Sequence, residues 1–326
     1  MSKFLIIRFS SIGDIILTSP VVRNLKTQFP NAEVHFVTKK NYQSLLSNNP
    51  YVDKCFVLEN SLNKLVDELK NENYDYIIDL HNNLRTSIIK LKLGKKSFSF
   101  DKLNLKKWLM VRFKKNILPN VHIVDRYMAT VSKLGIQNDN KGLDYFISKN
   151  TVFPEILNQN ANFNQYVVYA IGGQHETKKL PFHKMLELCQ SINQPLVLIG
   201  GKEDKQLGEK VVEYFGKTNK AIINLCGQCS IDQSALVIQN SSVVYTHDTG
   251  MMHIAAALKK SIVAIWGNTI PEFGMYPYQT SYVSLENKDI NCRPCSKIGF
   301  TKCPKGHFDC MNQINFKKFD FPVQSF

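Results

Sequence analysis

The chain has 326 residues, 44% apolar and 21% charged, and its 41 Lys and Arg against 27 Asp and Glu leave a formal charge of +14. One hydrophobic core rarely serves such a length, so two domains of roughly 150 residues are expected, with a composition ordinary for a soluble protein. No apolar run approaches the roughly 18 to 20 residues of a membrane span. The apolar stretch in MSKFLIIRFSSIGD is too short for a signal peptide, so a cytoplasmic location without an integral anchor is expected.

KFLIIR (3–8) reads as a buried strand. After the loop SSIGD, the stretch IILTSPVVRNLKTQF (15–29) predicts one helix with its apolar face at Ile15, Ile16, Val22 and Leu25, ended by Pro30. AEVHFVT (32–38) predicts a strand, NYQSLLSN (41–48) a helix, KCFVL (54–58) a strand, SLNKLVDELKN (61–71) a helix and YDYIIDL (74–80) a strand. Such alternation implies a parallel sheet with helices on both faces.

From Arg85 to Lys115 there are eleven Lys or Arg and one acid, Asp101, with Phe98, Phe100, Trp108 and Phe113 among them. A solvated helical face is one reading; a surface for an anionic macromolecule or an anionic membrane is the other. Nucleic acid fits the charge equally well, but no nucleic-acid motif accompanies it, so no nucleic-acid partner is expected. VDRYMATVSKLGI (124–136) predicts a helix. The Asn-rich stretch 137–165 reads as a linker, which sets the domains at 1–155 and 156–326.

The alternation then resumes with YVVYAIG, PLVLIG, AIINL, SVVYT and SIVAIW as strands. HKMLELCQSI, DKQLGEKVVEYF, DQSALVIQN and GMMHIAAAL are the helices between them. Two Rossmann-like units in series would face a cleft, and open parallel sheets bind ligands beyond the carboxyl ends of their strands.

Four loops at such ends carry chemistry-bearing residues. In THDTGMMHIAAAL, Asp248, Thr249 and Gly250 follow a strand and open a helix, whose free N–H groups and dipole suit a phosphate. The same residues also fit a plain helix cap. His253, one turn on, either reaches the same ligand or packs, and His247 fits a strand end without a role. In SSIGDI, Gly13 permits a tight turn, Ser11 offers a donor, and Asp14 is either a first-turn acid or a carboxylate able to take a proton from a hydroxyl. In GGQHETKKLP, Gly172 and Gly173 are backbone-permissive and Lys178 and Lys179 offer positive charge. In IGGKED, Glu203 can accept from a pair of sugar hydroxyls.

IGDIILTSPVVRNLK, KKLP after a glycine-rich loop, IGGKED and above all HDTGMMHIAAAL resemble glycosyltransferase family 9, the lipopolysaccharide heptosyltransferases of the GT-B fold. YDYIIDLHNNLRTS is similar to the family's first-domain segment, with His81 where Gln is usual. The resemblance implies an inverting transfer of heptose from ADP-L-glycero-D-manno-heptose to the lipopolysaccharide inner core. It makes Asp14 the catalytic base, Lys178 a donor-phosphate contact, Glu203 the ribose ligand, and Asp248, Thr249, Gly250 and His253 the diphosphate and sugar grip. Gly173 and Gln174 stand where the family usually has Thr or Ser. No Asp-x-Asp triplet occurs, in keeping with catalysis that needs no metal or other cofactor. The basic segment would meet an anionic lipid-linked acceptor (lipid A with its inner core) at the inner membrane surface, with Ser11, Gly13, Arg85 and Arg126 as further acceptor contacts and the enzyme peripheral there.

Cys292, Cys295, Cys303 and Cys310, with His307 close by, match the family's C-x-P-C, C-P-x-G-H and C-M pattern. A structural zinc, reduced thiols and disulfides are all open readings of it. Cys226 and Cys229 read as packing residues. Two further functions stay beside the leading one: a related GT-B transferase or nucleotide-sugar epimerase, and a non-enzymatic polyanion-binding adaptor.

Overall fold

The computed structural model describes residues 2–29 and 31–316; Met1, Pro30 and residues 317–326 lie outside them. Contacts divide the chain into a first unit, Met1–Leu103 with Val121–Phe146, and a second, Asn104–Asn120 with Ile147–Phe326. The stretch 104–120 thus groups with the second unit, and that unit begins ahead of the boundary drawn from composition.

In the first unit, β1 (Lys3–Ile7), β2 (Glu33–Lys39), β3 (Lys54–Leu58), β4 (Tyr76–Asp79) and β5 (Lys96–Ser99) form one sheet in the order β3-β2-β1-β4-β5. All its pairings are parallel. Such sheets are covered on both faces, which is why β1 is apolar at successive positions and Phe4 to Ile7 are all fully buried. Leu5, Ile7, Val37, Leu65 and Ile77 share one of its cores.

The helices of this half begin with α1 (Ile12–Ile16) and α2 (Ser19–Gln28), where the sequence predicts a single helix. The break is physical: Pro20 lacks an N–H and its ring collides with a carbonyl one turn earlier, so it is accommodated in the first turn of a new helix. Residues 40–45 form a 3₁₀ turn rather than the expected α-helix. Next come α3 (Leu62–Lys70), capped by Ser61 Oγ accepting from Lys64 N–H at 3.2 Å, and α4 (Leu84–Leu93). α4 opens on a reciprocal Asn83–Thr86 box and ends at Gly94 with φ 62°. α5 (Asn104–Phe113) belongs to the second unit, and α6 (Ile123–Ser132) returns to the first.

The stretch read as a linker is partly docked on α2. Arg23, 3% exposed, donates to both Asp139 oxygens at 2.8 Å and to Gly142 O at 2.9 Å, and pairs with Asp144. Its acids read as solvated chain, although Asp139 and Asp144 neutralise a buried guanidinium.

The second unit holds α7 (Glu155–Asn158), β6 (Val167–Ala170), α8 (Phe182–Ser191), β7 (Leu196–Ile199), α9 (Lys205–Phe215) and β8 (Ile222–Asn224). After them come α10 (Ile231–Gln239), β9 (Val243–His247), α11 (Gly250–Ala257), β10 (Ser261–Trp266), β11 (Tyr282–Glu286) and α12 (Asp309–Asn312). Its sheet runs β11-β10-β9-β6-β7-β8, again wholly parallel. The fold is therefore α/β with two Rossmann-like sheets. The strand order reverses beside β1 in the first sheet, between β1 and β4, and beside β6 in the second, between β6 and β9. Those are the topological switch points, where loops leave in opposite directions and open a crevice.

Candidate active site

At the first switch point, β1 runs into Arg8 and the turn that starts α1. Arg8, 8% exposed, donates to Leu80 O at 2.6 Å, Tyr127 OH at 3.0 Å and Ser10 O at 2.7 Å. Its remaining nitrogen lies 2.6 Å from Asp14 Oδ1. The other Asp14 oxygen accepts from the Ser11 hydroxyl at 2.8 Å and from Ser11 N–H at 3.2 Å. Asp14 is thus the first-turn acid of a capping box, and it also keeps a side chain that is 20% exposed. The first-turn reading of Asp14 is the one this geometry gives. Burial pushes its carboxyl up, but the Arg8 guanidinium and the Ser11 hydrogen bonds outweigh that and hold it below the ordinary carboxylate value. Gly13 lies inside α1, with its carbonyl accepting from Leu17 N–H, so the tight turn expected there is an ordinary helical turn.

β4 delivers the other side of this crevice. Buried Asp79 pairs with Lys90 at 2.8 Å and accepts from His81 and Asn82 N–H, which turns the chain sharply after the strand. His81 packs against Phe9, and burial together with Arg8 and Lys102 lowers its pKa to about 4, so it is neutral at pH 7. The Lys102 ammonium, partly buried, makes no ion pair among the described residues; burial and then Arg8 lower its pKa. Arg126 is buried on α6 with a 3.4 Å contact to Asp101 O, whereas Arg85 is exposed on the first turn of α4.

At the second switch point, the loop after β6 meets the loop after β9. Lys178 Nζ bonds Asp248 Oδ2 at 2.6 Å and Asp248 O at 3.0 Å, and Thr269, from the loop after β10, donates to the same Oδ2 at 2.8 Å. A carboxylate so engaged is poorly suited to a phosphate itself; it fixes an ammonium and a hydroxyl. Thr249 precedes α11 but makes no side-chain cap bond, so a plain cap is not what stands there. Thr249 therefore gives the first N–H groups of α11 no side-chain acceptor. Gly173 lies so close to Thr249 and Lys179 that an added Cβ would stand 3.3 Å from each. Gln174 is exposed beside it, and His253 is buried in α11.

His247 is part of the scaffold. Leu180 N–H donates to its Nε2 at 3.0 Å, which fixes a neutral imidazole between the two loops, and burial lowers its pKa to about 3. In the loop after β7, Glu203 is exposed and free to accept, while Asp204 is 2% exposed and takes Gly201 N–H at 2.9 Å. Asp204 crowds the glycines: a Cβ on Gly172 would stand 2.5 Å from its Oδ2. Arg8, Lys102, Asp204 and Thr269 are the residues that sequence reasoning misses. Only Arg8, a lone cation ending an apolar strand, left a signal.

The cysteines are neighbours without forming a ligand set. Cys292 Sγ is 3.8 Å from His307 Nε2, and Cys295 Sγ is turned to Cys292 O at 3.2 Å. Burial and then the neighbouring thiols push Cys295 up to about 11, and burial lifts Cys310 to about 12. Zinc needs four converging thiolates or imidazoles, and Cys292, Cys295, Cys303 and Cys310 as arranged do not fit it. Among the described residues, Glu33, His35 and Glu72 bring three ligand-type atoms within 4.8 Å of one another. Lys3 already pairs with both of those acids, and Lys54 pairs with Glu72, so this is an ion-pair network.

A family model described as glycosyltransferase family 9 (heptosyltransferase) matches residues 62–304. Lipopolysaccharide heptosyltransferase 1 of Campylobacter coli is 25% identical over 82% of this chain and 84% of its own length. The crystal structure of a family 9 glycosyl transferase from Veillonella parvula is similar with a TM-score of 0.71 and 22% identity, over 88% of this chain and 86% of that one. Escherichia coli ADP-heptose lipopolysaccharide heptosyltransferase II gives 0.69 and 21%, over 95% and 98%. The two structural likenesses carry the fold.

Proposed function

The chain belongs to glycosyltransferase family 9 and is a glycosyltransferase, and on that premise we propose that it moves a heptose from ADP-L-glycero-D-manno-heptose to the lipopolysaccharide inner core. The observation that carries this is the pairing at the two switch points: a carboxylate held ionised at one, an ammonium held beside an uncapped helix N-terminus at the other. The names of the relatives favour heptose as the sugar and lipopolysaccharide as the acceptor.

Asp14 takes the proton of an acceptor hydroxyl as that oxygen attacks the anomeric carbon. The new C–O bond forms on the face opposite the leaving ADP, the bond to the β-phosphate oxygen breaks, and the configuration inverts. Lys178, the N–H groups of Gly250 and Met251, and the α11 dipole take up the charge on the departing diphosphate, with no metal in the step. Asp248 and Thr269 hold Lys178, Gly173 and Gln174 let the backbone approach the phosphates, His253 supports the sugar side, and Glu203 receives the ribose hydroxyls. Lys102 and Arg8 favour an anionic acceptor, with Ser11, Gly13, Arg85 and Arg126 around it. The acceptor is lipid-linked, so the enzyme works at the inner membrane surface from the cytoplasm. The domain assignment follows the roles, with acceptor binding in the N-terminal unit and donor binding in the C-terminal one. For the cysteines, a structural zinc requires an arrangement that brings four ligands onto one ion. About one zinc per purified chain, lost in Cys292→Ser, would establish it.

The test is ADP release from ADP-L-glycero-D-manno-heptose, with and without Kdo-lipid A, for the wild type and Asp14→Ala. Acceptor-dependent release abolished by the substitution is the expected result. Turnover of another nucleotide sugar alone would move the chain to a related GT-B transferase. A changed sugar nucleotide without any acceptor would mean an epimerase, and full activity of Asp14→Ala would discard the base.

A further inference from the structure

α5 inverts the usual pattern of a helix on a folded domain. Six of its ten residues are Leu, Trp, Met, Val or Phe, yet none of the ten is buried. Leu105 is 69% exposed, Trp108 47% and Phe113 61%. Leu105, Trp108 and Arg112 follow i, i+3, i+7 spacing and therefore share one face, and the Phe113 ring meets Trp108 edge-on at 5.4 Å. A helix that turns its aromatic face outward would normally roll over and bury it.

Here polar ties on the second unit prevent that. Lys297 Nζ donates to Asn104 O at 3.2 Å, and Lys114 Nζ donates to Cys292 O at 2.8 Å and Pro294 O at 2.6 Å. Lys107 Nζ stands 5.7 Å above the Phe273 ring. The cysteine-rich segment thus holds α5 from beneath, and Ile298, next to Lys297, adds a further 63%-exposed apolar side chain.

Charge identifies what covers the face. Residues 102–124 contain no acid, and Lys106, Arg112 and Lys115 stand among the apolar groups. An isologous contact with a second copy would set this cationic helix against an equally cationic surface. An anionic bilayer supplies phosphates for the cations and an acyl boundary for the rings, the interface that Trp with Lys and Arg prefers.

We propose that α5 docks on an anionic membrane surface, with Leu105, Trp108 and Phe113 seated at the headgroup–acyl boundary and Lys106, Arg112 and Lys115 on the lipid phosphates. This names the element behind the membrane reading above and rests on it only for biological sense. The test needs neither donor nor acceptor.

The full chain is floated with vesicles of phosphatidylglycerol and phosphatidylcholine, or of phosphatidylcholine alone, while tryptophan emission is recorded. Trp266 is 1% exposed and Trp108 is the other tryptophan, so a blue shift on adding anionic vesicles reports on α5. Wild type should bind the anionic vesicles with a blue shift and leave the neutral ones. Trp108→Phe should bind without the shift. Trp108→Ser with Phe113→Ser should weaken binding by about tenfold or more, and each Lys106→Glu or Arg112→Glu by at least about fivefold. Unchanged melting temperature would confirm that these exposed positions leave the fold intact. Equal binding to both vesicle types, no binding, or variants that float like wild type would overturn the proposal. So would a concentration-dependent dimer lost in the Trp108 variant, which gives the face to a second copy, or salt-sensitive binding of RNA in preference to vesicles. Lost heptosyl transfer with vesicle binding intact would sink the functional reading and leave the docking element standing.

Discussion

At the β1/β4 switch point the working group of the proposed reaction is the carboxylate of Asp14 and its keeper is the Arg8 guanidinium. At the β6/β9 switch point the signs are exchanged, with Lys178 as the working ammonium and Asp248 as its keeper. The two sheets reach this by the same topology, since each places one loop on either side of a strand-order reversal. The keepers differ in depth of engagement. Arg8 binds two carbonyls and a phenol besides Asp14, so it is fastened to the first unit's scaffold. Asp248 has Lys178 and Thr269, both from loops. A proton acceptor must have one fixed position, whereas a phosphate grip can close on its ligand.

Substitutions that separate worker from keeper break this comparison. The largest effect is expected for Asp14→Asn, which keeps the shape and removes the base: kcat should fall by about 10²- to 10⁴-fold with donor KM little changed. Lys178→Ala should cost roughly 10²- to 10³-fold in kcat/KM for the donor, the scale of one removed charge-stabilising donor. If it affects acceptor KM instead, the assignment of the halves is wrong. Asp248→Asn should cost about tenfold to a hundredfold, the worth of a hydrogen bond to a charged group, through a mispositioned Lys178. A double substitution with Lys178→Ala should add little to that single loss.

The Arg8 keeper is tested by pH. Asp14 has a depressed pKa, so its ion pair stabilises the fold above the unfolded carboxylate value near about 3.9, and that contribution is lost as pH falls through the folded value. Arg8→Met leaves burial opposed only by the Ser11 hydrogen bonds, so the acid limb of kcat/KM should move to higher pH and acid unfolding should begin earlier. An unmoved acid limb would show that Arg8 is only a structural brace. The smallest change is expected for Lys102→Ala, up to about fivefold in acceptor KM, because a partly exposed charge is screened by solvent.

Much of the candidate site was legible because switch-point chemistry leaves a local signature. Asp14, Lys178 and Asp248 each follow an apolar strand within a short glycine-containing stretch, and such stretches are readable from one sequence. Arg8 and Thr269 were not legible as partners, since the contacts that define them span 72 residues to Leu80 and 21 to Asp248. The glycines were legible, but the cause of their crowding was not: Asp204, beneath Gly172 and Gly200, reads as one more acid of a surface turn. α4, β5 and α5 escaped detection because the charge of 85–115 hides their periodicity. Arg23 drew its acids from a stretch that looks like a linker.

By itself, the sequence determined the α/β class, the two series of alternating strands and helices, and the loops that carry the carboxylate and the lysine. All of these rest on periodicity and residue type within about ten neighbours. Tertiary structure alone decided which charge faces which, that Asp248 holds a lysine, that the cysteines do not converge, and that α5 turns its aromatics outward. Those outcomes depend on distances between residues far apart in the chain, and on burial, which sets whether a charge is exposed, paired or suppressed.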